Sequence, residues 1–185
     1  MNWNKLTVGC LAILTIATAS AADPSPKPTG DTATAKPAAA GSGVQEIDTY
    51  VREVEKSASK LTRKEAMLAP DALKSVTDEK WTKVHTYSDG AKLKRMKVYP
   101  AAGSQKTEEF YYRDDQPVLV FVEADGAGKE NHDANAMGDK YYFANGSLVA
   151  AMHSDGKTMD VNSADAKKMA DKLKKEAQAF RAAAK

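Results

Sequence analysis

The sequence predicts an α+β fold in which an N-terminal helix, an antiparallel meander of about six strands and a C-terminal helix form one domain. Three observations support this. Apolar residues recur at steps of three and four in a segment near each end of the chain, as in amphipathic helices. Between them lie short runs of aromatic and β-branched residues, and turn dipeptides separate these runs. We expect both helices to pack on one face of the sheet.

Residues 1–22 have the order of a secretory signal peptide. One cation, Lys5, precedes an apolar run, and the segment closes on the small residues 19–22. The apolar core is about 13 residues long, whereas a spanning helix needs about 20. We therefore predict cleavage after Ala21 or Ala22 and a periplasmic or secreted mature protein.

Cleavage would remove Cys10, the single cysteine of the 185 residues, so the mature protein would have neither a disulfide nor a thiol nucleophile. It would also remove Lys5. The chain has 27 basic and 25 acidic residues, which leaves 26 against 25. Such a near-neutral balance argues against a nucleic-acid partner.

Residues 23–43 are rich in Pro, Ala and Thr and contain no aromatic or branched aliphatic side chain. A segment of this composition buries too little surface to offset its ordering entropy, which predicts a disordered linker. The folded domain is then expected over residues 44–185.

A capping-box spacing, Ser42 with Gln45, starts the first predicted helix. The helix is expected to end before Ala69 and Pro70, since the residue before a proline disfavours helical geometry. Its apolar stripe consists of Val44, Ile47, Val51, Val54, Ala58 and Leu61.

Turn dipeptides that tolerate positive φ divide the next region into hairpins. They are Asp89-Gly90, Asp114-Asp115, Asn145-Gly146 and Asp155-Gly156. The strands are predicted near residues 82–87, 91–99, 105–113, 117–124, 139–144 and 147–153, with a short seventh at 157–161 as an option.

The strands differ in character. Residues 118–122 are apolar on both faces, which predicts a central strand with one face under a helix. Residues 92–97 carry four cations, which indicates an edge strand or a solvated face. The sheet is therefore expected to have one covered and one partly open face. The open face would present aromatic rings as a binding surface, namely Tyr87, Tyr99, Tyr111 and Tyr141.

The second helix is expected to start near Asn162 or Ser163 and to run toward Lys185. Its apolar stripe is mostly alanine with one aromatic, Phe180, and lysines cover the remainder. Because such a stripe would bury little in lipid, we predict docking on the sheet with a solvated lysine face rather than a membrane-surface role.

Catalytic and cofactor motifs such as HExxH, GxSxG, the phosphate loop and the dinucleotide fingerprint are absent, so no cofactor is predicted and catalysis is left open. The acidic pairs Glu108-Glu109 and Asp114-Asp115 are expected to have surface and turn roles. Oxygen and imidazole donors gather in the loop at 124–138, where a divalent cation is one hypothesis. The candidate ligands are Asp125, Glu130, His132 and Asp133; His132 and Asp133 are also candidate binding residues.

Two hairpins carry a family resemblance. The first hairpin has the sequence Glu109-Phe110-Tyr111-Tyr112-Arg113-Asp114, which leads into Leu119-Val120-Phe121-Val122. The second has the sequence Tyr141-Tyr142-Phe143-Ala144-Asn145-Gly146-Ser147-Leu148. This pattern resembles uncharacterised exported bacterial proteins, which implies an envelope-facing protein and no activity to transfer.

The functional prediction is a non-enzymatic binding module that recognises an envelope protein, a peptide or a small ligand. The alternative is a small metal-dependent hydrolase or metal-binding protein that uses the 124–138 loop.

Overall fold

In the part of the chain that the structure describes, seven antiparallel strands form one sheet, and their order across the sheet is their order along the chain. The computed structural model describes residues 38–102, 106–123 and 138–185. The predicted α+β class, with an early helix, a meander and a C-terminal helix, is confirmed. The elements are α1 (Ala38–Ser57), β1 (Thr62–Met67), α2 (Pro70–Leu73), β2 (Trp81–Asp89), β3 (Lys92–Pro100), β4 (Thr107–Arg113), β5 (Gln116–Glu123), β6 (Gly138–Ala144), β7 (Ser147–Met152) and α3 (Ala164–Ala183).

The hairpin turns have the backbone geometry that their sequences require. Asp114 and Asp115 have φ values of 49° and 65°, and Asn145 and Gly146 have values of 51° and 74°. Positive φ at both central residues matches the right-handed twist of the flanking strands. These two turns therefore set the pairing of β4 with β5 and of β6 with β7.

The first helix differs from its predicted bounds at both ends. It begins at Ala38, within the segment predicted as linker, and it ends at Ser57. A 3₁₀ turn at Ala58–Lys60 and the strand β1 follow, where the sequence had predicted continuing helix. Leu61 still packs with the apolar residues of α1, so the stripe continues past the end of the helix.

β1 is the strand that the sequence did not predict. Most of its side chains are exposed, and it has no apolar alternation to mark it as a strand. At the other end of the sheet, the optional strand at 157–161 is reduced to a single bridge between Met152 and Thr158.

The two helices pack on opposite faces of the sheet, whereas the sequence pattern had placed both on one. Ile47 and Val54 of α1 pack with Leu119 on what we call the α1 face. Phe180 of α3 packs with Val120 on the α3 face. Alternation along β5 sends neighbouring apolar side chains to opposite sides, so both faces need a cover.

α3 docks as predicted. The Ser163 hydroxyl accepts a hydrogen bond from the Ala166 backbone N–H at 3.2 Å and caps the helix. Phe180 meets the rings of Trp81 and Phe110 edge to face, with centroids 5.6 and 5.9 Å away. The exposed side of the helix carries lysines, including Lys167, Lys168 and Lys175. Among the residues described, no helix is long and apolar enough to cross a membrane.

Candidate functional site

Arg95 on β3 is the centre of an ion-pair network on the α1 face. Its guanidinium pairs with the Glu109 carboxylate of β4 and lies 3.5 Å from Glu55 of α1. The Tyr111 hydroxyl donates to the same Glu55 carboxylate at 2.9 Å. Burial alone would lower the pKa of Arg95, but the nearby carboxylates outweigh burial, so the pKa is raised and the group stays charged. The network fixes α1 against the sheet.

A second polar cluster joins β1 to β2. His85 Nε2 lies 2.8 Å from Glu65 Oε2 and 3.1 Å from Arg63 Nη2. Burial lowers the pKa of His85 below its usual value and outweighs the hydrogen bond to Glu65. The imidazole is therefore neutral at pH 7. The side chain of this histidine is fully buried.

Cations on β2 and β3 lie over tyrosine rings. The Arg95 guanidinium is 4.9 Å from the centroid of Tyr87. Lys83 Nζ and Lys97 Nζ are 4.7 and 5.9 Å from the centroid of Tyr99. Such contacts stabilise a cation with little water around it. They help to explain why β3 is an interior strand with Arg95 and Lys97 buried, contrary to the predicted edge or solvated strand.

The tyrosines predicted to form an exposed binding face are buried. Tyr87, Tyr111 and Tyr141 are 8%, 1% and 4% exposed. Tyr87 and Tyr111 belong to the α1 face, but Tyr141 pairs with Val120 and lies on the α3 face. Burial and the neighbouring Asp139 raise the pKa of Tyr141 to about 12. The expectation of an open aromatic face is wrong because helices cover both sides of the sheet.

The other predicted site residues lie outside the described residues. They are the candidate metal and binding residues of the β5–β6 connection, namely Asp125, Glu130, His132 and Asp133. Within the ranges that the structure describes, no three or more His, Cys, Asp or Glu side chains are grouped as a metal site.

A groove of about 870 Å³ lies between α1 and strands β4 to β6. Its sheet side is formed by Tyr111, Leu119 and Phe121, and α1 supplies the facing wall. The volume falls in the range of roughly 300–1,000 Å³ that is usual for small-molecule sites. We call this cavity the α1 groove.

Three charged groups of the α1 groove have neither a side-chain hydrogen bond nor an ion pair in the described part of the chain. They are Glu53 and Lys56 of α1 and Lys140 of β6. The other rim charges have partners. Asp48 accepts from the Tyr142 hydroxyl at 3.1 Å, Arg52 donates to the Thr49 hydroxyl at 3.1 Å, and Glu55 belongs to the Arg95 network. Glu53, Lys56 and Lys140 were not among the site residues predicted from the sequence. The sequence contains one weak indication of them, which is that Glu53 and Lys56 lie beside the apolar stripe of α1.

Gly138 allows the floor of the groove to pack closely against β6. A Cβ atom at this position would lie 2.5 Å from the Val122 carbonyl oxygen and 2.6 Å from the Phe121 ring. Both distances are shorter than a side chain tolerates, so only glycine fits here without a shift of the ring.

The fold and the site define an α+β domain with a helix on each face of a seven-stranded meander and a groove beside one helix. In comparisons with family models, curated proteins and solved structures, no match to this chain was found.

Proposed function

We propose that this chain is an exported, non-enzymatic binding module that takes a short peptide or a similar zwitterionic ligand in the α1 groove. The observation that carries the proposal is the combination of an apolar floor with charges of both signs on the rim. Ligand sites are mostly apolar and use a few well-placed polar groups to orient the ligand.

The charges on the rim favour a ligand with both an ammonium and a carboxylate group. Glu53 is available to an ammonium group, and Lys56 and Lys140 are available to a carboxylate. A free peptide has these two groups at its ends, and an apolar side chain between them would contact Val51 of α1, a partly exposed apolar residue of the groove. Charge-assisted hydrogen bonds of this kind are among the stronger polar contacts in proteins.

The wall of the groove is well anchored, which favours binding because little ordering remains to be done. α1 is tied to the sheet along its length by hydrogen bonds from Tyr111 to Glu55 and from Tyr142 to Asp48. In the N-terminal half of α1, the Glu46 carboxylate accepts a hydrogen bond from the Arg113 guanidinium at 2.6 Å. These contacts hold the rim charges in place before a ligand arrives.

Calorimetric titration of the full chain with a phenylalanine-centred tripeptide tests the binding proposal. We expect saturable binding that is lost when both peptide termini are blocked. Lys140→Gln should weaken binding about tenfold, since it removes one charge-assisted contact. Lys167→Gln is the matched control, because that lysine is exposed on α3, and it should bind as the parent does.

Two results would count against the groove as the binding site. One is the absence of heat with any free tripeptide that has a phenylalanine, leucine or valine centre. The other is equal affinity of the Lys140→Gln and Lys167→Gln variants for a peptide that does bind.

Export rests on the pattern of residues 1–22 and has its own test. The full chain is expressed in a Gram-negative host, and the mass of the protein in the periplasmic extract is measured. We expect loss of the first 21 or 22 residues. An uncleaved chain that stays in the cytoplasmic or membrane fraction would refute the export proposal.

A further inference from the structure

Two buried acids lie in the interior between β4 and α3, on the side of the sheet away from the α1 groove, and the charge of one acts on the other. Glu108 of β4 and Glu176 of α3 are both 0% exposed. In the described part of the protein, their carboxyl oxygens have no polar partner other than one lysine each. Buried polar groups are nearly always satisfied, so this pair calls for an explanation.

Each carboxyl group has one lysine at ion-pair distance. Lys106 Nζ lies 3.0 Å from Glu108 Oε1, and Lys172 Nζ lies 3.3 Å from Glu176 Oε1. Both lysines are partly exposed, so water screens their charges more than it screens the carboxylates. The lysines therefore offset the repulsion between the two acids only in part.

Other charged and titratable groups approach the pair from the neighbouring elements. Tyr141 of β6 is hydrogen-bonded to Asp139, and the charge of Glu108 contributes to its raised pKa. Glu79, from the segment before β2, acts on Lys106. Asp139 and Glu79 are acids, so these two outer groups add no cation that would favour two ionised carboxylates.

Two negative charges at this buried position are unfavourable, so protonation of one of the carboxyl groups is favoured. Burial, with Glu176 as the next cause, raises the pKa of Glu108 to about 7. A protonated carboxyl can donate a hydrogen bond to a carboxylate, which removes the repulsion and supplies the missing partner at once.

We propose that Glu108 and Glu176 form a proton-dependent latch that holds α3 on the sheet. When one proton is bound, the two carboxyl groups are partners and α3 is held close. When that proton leaves, two like charges face each other between β4 and α3, and docking of the helix weakens. The latch does not depend on the proposed ligand of the α1 groove.

The direction of the pH dependence follows from the raised pKa. A carboxyl that holds its proton more tightly when folded stabilises the folded state most at pH values below its ordinary pKa of 4.5. That advantage is lost as the pH rises from 4.5 through about 7. The full shift corresponds to a change of up to about 300-fold in the ratio of folded to unfolded protein.

Urea unfolding of the full chain at pH values from 4.5 to 8.5 tests the latch. The parent carries Trp3→Phe, which leaves Trp81 as the reporter beside Phe180 of α3. Glu108→Gln and, separately, Glu176→Gln should each reduce the fall in stability between pH 5 and pH 8. Asp78→Asn, an exposed control with the same chemical change, should leave the fall unchanged.

Hydrogen exchange, corrected for the intrinsic pH dependence of the rates, locates the effect. We expect amides of α3 to lose protection relative to those of β5 as the pH rises, and the Glu108→Gln variant to lose none. Two results would overturn the proposal: a fall in stability that is the same in the parent and in both glutamine variants, or equal changes of protection in α3 and β5.

Discussion

Truncation of Phe180 to alanine measures how much of the stability comes from docking of α3. The side chain is 0% exposed and makes edge-to-face contacts with Trp81 and Phe110. Removal of a fully buried phenylalanine costs about 3–5 kcal/mol, and the two ring contacts place this site toward the upper part of that range. We expect a loss of about 4 kcal/mol in the free energy of unfolding. With a urea slope of about 2 kcal/mol per molar, the midpoint should fall by about 2 M.

The assay is urea unfolding followed by Trp81 fluorescence in the Trp3→Phe parent. Met67→Ala is the matched control, because Met67 is a large apolar residue that is 72% exposed, and its truncation should cost no more than about 0.5 kcal/mol. Phe180→Leu, with an expected loss of about 1.5 kcal/mol, keeps the measurement possible if the alanine variant unfolds. A Phe180→Ala variant whose free energy of unfolding is within about 1 kcal/mol of the parent's would refute the reasoning, since removal of a fully buried ring costs more than that.

Three further predictions concern single side chains. Gly43 lies inside α1 with open space around a Cβ atom, so Gly43→Ala should raise the free energy of unfolding by about 0.5–1 kcal/mol in thermal unfolding. Gly146 has equal space but a φ of +74°, so Gly146→Ala should lower the free energy of unfolding by about 1 kcal/mol. Ser163→Ala removes the cap of α3 and should cost about 1 kcal/mol in urea unfolding. Gly138→Ala should cost about 1–3 kcal/mol and, by displacing the Phe121 ring, shift the methyl resonances of Leu119 in NMR spectra.

The turns and the second helix were predictable because their signals are local. Asn145 and Gly146 need no tertiary partner to favour positive φ, and the structure has them in that conformation. Ser163 lies at the predicted start of α3 and caps it. In each case the residues that specify the feature are neighbours along the chain, so the sequence alone contains the physical information.

The elements that were missed depend on contacts between distant segments. β1 is polar and its strand conformation comes from pairing with β2, as in the pair of Glu65 with His85. In the sequence, the cations of β3 resemble those of a solvated strand. The fold places Glu109 and Glu55 beside Arg95, which allows this cation to be buried. The α1 groove likewise exists only once Lys140 of β6 lies opposite Glu53 and Lys56, more than 80 residues earlier in the chain.

Glu108 and Glu109 show how charge fixes the register of β4. They are adjacent, so strand alternation sends Glu108 to Glu176 under α3 and Glu109 to Arg95 under α1. A slip of one residue would exchange the faces of the two carboxylates and of Phe110 and Tyr111. A slip toward one end of the strand puts Phe110 where Glu109 lies, and taking the buried partner away from the Arg95 guanidinium costs about 3–5 kcal/mol. A slip toward the other end puts the Glu109 carboxylate where Phe110 lies, beside the Phe180 ring in the core. The acidic pair that the sequence placed on the surface therefore specifies the strand register from the inside, one carboxylate for each face.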